Sequence, residues 1–521
     1  MVLVAWVLLA AAVYHVISRL VQFRQLLAKI RFLPGLRATT SLLGHARWII
    51  PMRIPYVTHG ANLLFDGKHA LFKQFGLDVI SIVSTHPLQA LFVIADPAIL
   101  REMTAARSRF PKPVEIYDIL SLYGPNIVAS EHDAWKRYRR ICSPGFSEKN
   151  NRLVWSETVR VVTELFDIWV GKDEIVVDDA LALTATITLF VISSAGFGQA
   201  IAWNGGEERP EGYKMSFKEV MHHMSTGVFT KIATPQWLLD LGPTEKMRNT
   251  NTAFKELGVY MSDMIRQRRE SQHKEERYDL FNGLLDASEE EEEGELKLTD
   301  EELMGNVFIF LIAGNETTGH TLCYALALLA LHPDEQEKLY QQIRSILPAG
   351  ELPRYQDLRN FTYADAVLCE TLRMFPPVFG IPKRAADDAF FKTTNDAGEP
   401  VVVFIPKGSD VLFDTAGLHY NPKYWTDPHT FSPSRFTRSD WPRDAYLPFS
   451  GGPRACLGRR FAEIEIIAVL VLFVLRFTIH VKDEPKYRSE TEQQRRDRVL
   501  KSVSVLTLTP TGVSLVFKRR K

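Results

Sequence analysis

Near its C-terminal end the chain reads Phe449-Ser450-Gly451-Gly452-Pro453-Arg454-Ala455-Cys456-Leu457-Gly458, just before an apolar run from Phe461 to Ile479 that predicts a buried helix. Gly452 and Gly458 permit tight backbone conformations that a residue carrying a Cβ resists, so the main chain is expected to fold closely round the Cys456 sulfur. That sulfur is placed near a helix N-terminus, where the positive end of the dipole and free N–H groups favour thiolate over thiol. Arg459 and Arg460 add positive charge one turn on. A lone cysteine in a glycine turn is usually a buried structural residue. A poised thiolate in such a loop is instead a good ligand for a soft metal centre.

The surrounding pattern decides between the two. The loop satisfies Phe-x-x-Gly-x-Arg-x-Cys-x-Gly at every fixed position and resembles the haem-binding signature of the cytochrome P450 family. The resemblance implies haem b, iron protoporphyrin IX with an axial cysteine thiolate. It makes Cys456 the metal ligand and places Phe449, Gly452 and Arg454 around the cofactor.

The 521 residues would allow three domains of about 150 residues. No stretch rich in Gly, Ser or Pro separates folded units, so one large domain behind a short leader fits better. Charges balance at 62 against 62, which gives no electrostatic case for nucleic acid. The cysteines are Cys142, Cys323, Cys369 and Cys456; none forms Cys-x-x-Cys, and their sparseness suggests a reducing compartment.

Residues Met1 to Ile17 are almost wholly apolar, and Arg19, Arg24, Lys29 and Arg31 follow. The run lies at the lower end of the roughly 17–25 residues that span a bilayer. Its basic flank is C-terminal, which leaves the body in the cytosol, whereas a cleaved signal peptide carries its charge before the apolar run. Residues 1–18 are therefore expected to be a transmembrane signal-anchor and 19–35 a basic linker with a hinge at Leu33-Pro34-Gly35. Residues 36–521 are expected to form the haem domain.

Val79–Val83 and Leu91–Ala95 read as the strands of a hairpin. Ser108–Ser130 reads as a long irregular loop, a region that in the family covers the substrate. Trp135 and Arg139 are four apart and share a helical face. They resemble the family's Trp-x-x-x-Arg, which implies contact with haem propionates. Lys136, Arg137 and Arg140 would remain as a basic patch, either simply solvated or attractive to an acidic electron donor. Residues from Ser156 to about Arg268 read as helical without recognisable chemistry, and the acidic run Ser288–Glu295 reads as a mobile surface loop.

Thr299-Asp300-Glu301-Glu302 is a capping-box start, with a largely apolar helix predicted from there to about Leu331, about 50 Å at 1.5 Å per residue. Gly314-Asn315-Glu316-Thr317-Thr318-Gly319 interrupts it with poor helix formers and a carboxyl. Gly314 is expected to open the backbone to a small ligand, and Thr317 to bend the helix through a competing hydrogen bond. Ala313 to Thr318 resembles the family's Ala-Gly-x-(Asp/Glu)-Thr-(Thr/Ser) element. The resemblance implies Glu316 and Thr317 as the catalytic pair that supplies protons at the dioxygen site. A Gly/Thr kink serving only packing is the plainer alternative. Asn315-Glu316-Thr317 is also a glycosylation sequon, expected to stay unmodified inside a helix.

Glu370 and Arg373 are three apart on a helix that Pro376-Pro377 must end, and Phe431-Ser432-Pro433-Ser434-Arg435-Phe436 follows downstream. These resemble the family's Glu-x-x-Arg and Phe-x-Pro-Glu-Arg-Phe, implying a structural triad of Glu370, Arg373 and Arg435. Ser434 departs from the family's glutamate. By the same resemblance Arg384 reaches a propionate. Val401–Ile405 and Val503–Phe517, turned at Pro510-Thr511-Gly512, read as a small β-rich portion.

The fold expected is mainly α with small β-sheets, the cytochrome P450 fold. The resemblance implies a monooxygenase that hydroxylates or epoxidises a lipophilic molecule such as a terpenoid or steroid, in the style of fungal microsomal members. O2, electrons from NADPH-cytochrome P450 reductase and optionally cytochrome b5, and an endoplasmic reticulum membrane complete that picture. No nucleotide-binding signature is present, so the electrons come from a separate protein. Ile116, Ile119, Phe310, Ala313, Val378 and Phe379 are the candidate substrate wall, with ordinary core packing the alternative for each. A haem-thiolate isomerase or dehydratase acting on peroxides is the alternative enzyme, though such relatives often lack the helix threonine that Thr317 supplies. A non-enzymatic haem sensor is the remaining alternative.

Overall fold

In the computed structural model, which describes residues 2–43, 52–204, 209–270, 279–289, 297–348 and 350–520, the apolar leader is one helix, α1 (Val2–Lys29). The helix does not stop at residue 18. Nothing between Arg19 and Lys29 breaks it, so the stretch expected as a linker is helical as far as Lys29, and Pro34 comes only later. Its large apolar side chains, among them Leu3, Trp6 and Leu8, are exposed. By length and composition α1 could cross a membrane, the one helix among the described residues that could.

The chain divides into two compact units, each discontinuous in sequence. The first comprises Met1–Pro113, Val378–Pro428 and Pro442–Ala455. β-branched and aromatic segments make its five-stranded sheet, ordered Gly35–Thr40, Val79–His86, Leu88–Ile94, Asp410–Asp414 and Gly380–Arg384. Val79–His86 and Leu88–Ile94 form the expected antiparallel hairpin, with Ile80 opposite Val93 and Ile82 opposite Leu91. Pro400–Ile405 pairs with Ala389–Thr394 in a second hairpin.

The second unit comprises Val114–Pro377, His429–Trp441 and Cys456–Lys521, and is mainly helical. It contains α2 (His132–Cys142), α3 (Ala180–Val191), α4 (Asp300–Leu331), α5 (Thr362–Met374) and α6 (Arg459–Arg476). α4 starts as its sequence demands: the Thr299 hydroxyl accepts from the Glu302 N–H, and the Glu302 carboxyl accepts from the Thr299 N–H. Glu302 also takes Arg137 and the Tyr138 hydroxyl, which fastens α2 to the head of α4. Arg137 is therefore not part of a free basic patch. Lys136 pairs with Asp133 at 2.6 Å, and Arg140 stays exposed.

α4 is apolar nearly all round because neighbours cover it: α3, α5, α6 and the strand Phe477–Val481 pack against it. It runs unbroken through Gly314–Gly319, so the expected interruption does not occur. Tertiary packing outweighs the weak helix propensity of those six residues. α6 ends at Arg476 rather than Ile479, since Phe477-Thr478-Ile479-His480-Val481 alternates and joins a sheet with Leu515–Arg519 and Glu174–Val177. The C-terminal strands also differ from expectation. Ser502–Ser504 pairs with Leu508–Pro510 in a short hairpin, while Gly512, at φ +69°, turns the chain away to that other sheet. Residues 108–130 are irregular apart from the short turns Val114–Tyr117 and Asp118–Leu120. Beyond Glu289, the acidic run lies outside the described residues.

Candidate active site

The Cys456 loop starts in the first unit and ends in the second. Gly452 sits at φ +64°, and a Cβ there would run into the Thr104 carbonyl, so only glycine lets the loop lie this close to Pro97–Ala105. Ser450, at φ +59°, and the Ala455 N–H bonded to the Gly452 carbonyl complete the turn before the cysteine. Phe449 and Arg454 are half-buried beside it.

Around Cys456 the Gly458 N–H and Arg459 pull the thiol down as expected, and Arg139, not foreseen in this role, acts with them. Burial nonetheless prevails and pushes it up, with Glu463 acting in the same direction. The residue still presents accessible surface on one side while protein encloses it on the others. Trp135 is buried in α2, and Arg139 lies one turn on, close enough for its charge to act on the sulfur.

The central stretch of α4 carries the second group. Ala313, Glu316, Thr317 and His320 fall at i, i+3, i+4 and i+7 and so form one stripe. Ala313 is exposed, which is anomalous for the middle of an otherwise covered helix, and Thr317 is half-exposed beside it. The Thr317 hydroxyl donates to the Ala313 carbonyl at 2.7 Å, the expected competing bond, without breaking the helix. Gly314 does not face the same way. Its missing Cβ would lie 3.2 Å from Ile192, so its smallness serves helix packing rather than ligand approach, and the accessible neighbour is Ala313. Asn315 is buried and accepts from the Thr188 hydroxyl at 2.7 Å, which withdraws the sequon from any surface.

Burial raises the Glu316 carboxyl to about 7, opposed by a hydrogen bond from the Thr507 hydroxyl to Oε1 at 2.8 Å. The same hydroxyl lies 3.0 Å from His320 Nδ1. Burial drives His320 down to about 4, against a backbone bond at Leu508. Sequence reasoning missed both partners. His320 was recoverable from the spacing of its stripe, whereas Thr507 lies nearly two hundred residues away in a segment without a motif.

The triad is assembled. Glu370 accepts from Arg373 Nε at 2.7 Å and Nη2 at 2.9 Å, from Arg435 Nε at 3.0 Å and from the Ser432 N–H at 2.9 Å. Glu370 and Arg373 are wholly buried. Ser434 is exposed, its hydroxyl 3.1 Å from that of Ser432. Arg384 pairs across its sheet with Asp410, Nε to Oδ1 at 2.8 Å.

Of the candidate wall, Ile116, Ile119, Phe310 and Ala313 lie in the second unit and are half-buried or exposed, with Phe310 edge-on to Phe146 at 5.5 Å. Val378 and Phe379 lie in the first; Val378 is exposed and Phe379 packs 6.0 Å from Phe65. Among the described residues no three His, Cys, Asp or Glu side chains gather as a metal site. An accessible single sulfur in a glycine cradle fits an iron whose equatorial ligands come from porphyrin.

A family profile described as Cytochrome P450 matches residues 61–505. The chain is 50% identical over 499 residues to "Cytochrome P450 monooxygenase 124" of Postia placenta, covering 96% of each. It is 29% identical to human "Cytochrome P450 3A5", covering 68% of this chain and 69% of the relative. Among solved structures it resembles a "cytochrome P450DA heme domain" with a TM-score of 0.73 at 25% identity, covering 94% of this chain and 98% of that one.

Proposed function

Given that the chain belongs to the cytochrome P450 family and is a haem b monooxygenase, we propose that it is anchored by α1 in the endoplasmic reticulum membrane and oxidises a lipophilic small molecule. The substrate class is a terpenoid or steroid of fungal secondary metabolism, hydroxylated or epoxidised. Haem b, when bound, supplies dioxygen activation and transfer of one oxygen atom to substrate. Electrons come from NADPH-cytochrome P450 reductase, with cytochrome b5 as an accessory donor. The basic residues from Arg19 to Arg31 hold the C-terminal side of α1 in the cytosol.

Each residue has a share in this. Cys456 would supply the sulfur that holds the haem iron, and Phe449 and Gly452 shape the loop that carries it. Were haem b bound, Trp135 and Arg139 in the helical unit would be the groups to meet its propionates there, Arg454 would offer the same contact from its own unit, and Arg384 would do so only by giving up its Asp410 partner. Gly314 acts through the packing of α4. Ile116, Ile119, Phe310 and Ala313 give apolar contact in one unit, and Val378 and Phe379 offer the same kind of surface in the other. Thr317 holds its proton on the accessible stripe, and Glu316 carries one that can leave near neutral pH.

That stripe is the observation that carries the reading. An accessible alanine and a hydroxyl lie beside a carboxyl that burial has tuned to about 7, on a largely apolar helix. A peroxide isomerase needs no such proton supply, which favours the monooxygenase over that alternative.

The test is reconstitution of the full chain with the reductase in phospholipid vesicles, followed by a panel of terpenes and steroids. NADPH consumption should be coupled to a hydroxylated or epoxidised product. Cys456→Ser should lose the red-shifted carbon monoxide band of the reduced protein, and an unchanged band in that variant refutes axial ligation by this sulfur.

A further inference from the structure

Three side chains of α4 that carry a polar head follow one another along one face, Glu316, His320 and Tyr324, each one turn after the last. All three meet the same object, the short hairpin Ser502–Ser504/Leu508–Pro510. Glu316 and His320 share the Thr507 hydroxyl, and the Tyr324 hydroxyl donates to Ser502 Oγ at 2.8 Å. The hairpin is tied independently of α4 as well, since the Leu508 N–H donates to the Pro377 carbonyl at 2.9 Å. Thr507 is itself buried, and its carbonyl accepts from the Val505 N–H and the Thr509 hydroxyl. Its position is therefore set by the hairpin.

We propose that Thr507 is a positioning residue for Glu316: its hydroxyl orients the carboxyl and sets the ease with which that carboxyl yields its proton, and His320 fixes which way the hydroxyl points. The inference rests on the assignment of Glu316 as the proton-carrying group. The hydrogen bookkeeping supports it. A hydroxyl has one proton, so when it donates to an ionised Glu316, the 3.0 Å contact at His320 Nδ1 must be an N–H donating to the hydroxyl oxygen. Once Glu316 is protonated its O–H can donate to the Thr507 oxygen, and the hydroxyl then donates to Nδ1 when the neutral ring carries its one proton on Nε2, the other tautomer of His320, reached by exchange with solvent. The row of three groups thus has two polarities, each pairing one protonation state of Glu316 with one tautomer of His320, and neither requires a side chain to move. His320 suits this because burial keeps it neutral, with one ring nitrogen free to accept.

The measurement is the C=O stretch of protonated Glu316 in the infrared spectrum of the full haem-loaded chain, titrated with pH and assigned by its loss in Glu316→Gln. The carboxyl should titrate near 7. Thr507→Val removes a hydrogen bond that favours the ionised form and should move the midpoint up by about one pH unit. Thr507→Ser should restore it, and His320→Gln, which can still bond the hydroxyl, should shift it less than His320→Phe. The carbon monoxide band of each variant shows that the haem domain is intact. An unmoved midpoint in Thr507→Val, or the same shift in Thr507→Ser, overturns the proposal. The titration needs no turnover, so it is separable from the functional reading. If Thr507→Val moves the midpoint while Glu316→Gln leaves product per NADPH unchanged, the positioning stands and Glu316's catalytic role falls.

Discussion

Two glutamates inside the helical unit meet opposite fates. Glu370, wholly buried, is met by two guanidinium groups and a backbone N–H, and every one of those contacts is between 2.7 and 3.0 Å. Glu316 is largely enclosed too, but among the described residues its carboxyl meets the Thr507 hydroxyl and no cation, and it rises to about 7. The first arrangement locks a helix to a distant loop. The second keeps a proton available at physiological pH. Whether a buried acid is architecture or chemistry is thus decided by the company it is given, not by its burial.

Removing the carboxylate from each site separates the two roles, and the larger effect belongs to Glu370. Glu370→Gln leaves Arg373 buried without a counter-charge and should cost about 3–5 kcal/mol. Against a total stability of roughly 5–15 kcal/mol, that is enough to deplete folded, haem-loaded protein in expressing cells. The yield of carbon monoxide-binding protein, together with Tm where material is recovered, checks this. A variant of wild-type yield and Tm would mean that the triad geometry does not convert into stability.

Glu316→Gln should do the reverse, sparing the fold and impairing the chemistry. Glutamine keeps an acceptor for Thr507 and removes a carboxyl that burial disfavours in its charged form. The folded carboxyl titrates at about 7, above its ordinary 4.5, so what it adds to stability is complete below about 4.5 and is lost as pH rises through 7. Relative to wild type, the Tm of Glu316→Gln should therefore improve across that window. Product formation should fall by about 10²-fold, the lower end of what a positioned acid contributes. Wild-type coupling should decline above pH 7 as the proton is lost, and the variant should be flat there. Should the variant lose Tm as Glu370→Gln does, the two sites would be alike and the distinction would collapse.

Much of this was legible from residues close together in sequence. The capping box at Thr299, the Glu370–Arg373 pairing and the Cys456 loop are each written within ten residues, and local spacing places such groups on one helical face or in one turn. What was not legible depended on segments far apart. The end of α6 at Arg476 was decided by pairing with Leu515–Arg519, the continuity of α4 by its neighbours, and Gly314's role by Ile192. The setting of Cys456 joins both kinds of signal. The favourable charges were visible in the sequence, but the enclosure that outweighs them is a tertiary property. Thr507 is the plainest case, a threonine in an unremarkable bend that matters only because α4 passes beside it.

The smallest effect concerns the one position where the triad departs from its family's pattern. Ser434 stands next to Arg435, the partner of Glu370 that retains some exposure, and is itself at the surface. Its hydroxyl is engaged with Ser432 rather than with a charge. Restoring an acid there, Ser434→Glu, would offer Arg435 a second carboxylate, but in solvent such a pair is worth only about 0–1 kcal/mol. The cluster already meets Glu370 with both arginines at good geometry, so its strength does not hinge on the missing acid. Tm should rise by no more than a few degrees at low salt, and the gain should shrink with added salt as screening weakens an exposed pair. A large, salt-independent gain would show that Glu370 alone leaves the arginines under-compensated, and the contrast with Glu316 would then be one of degree.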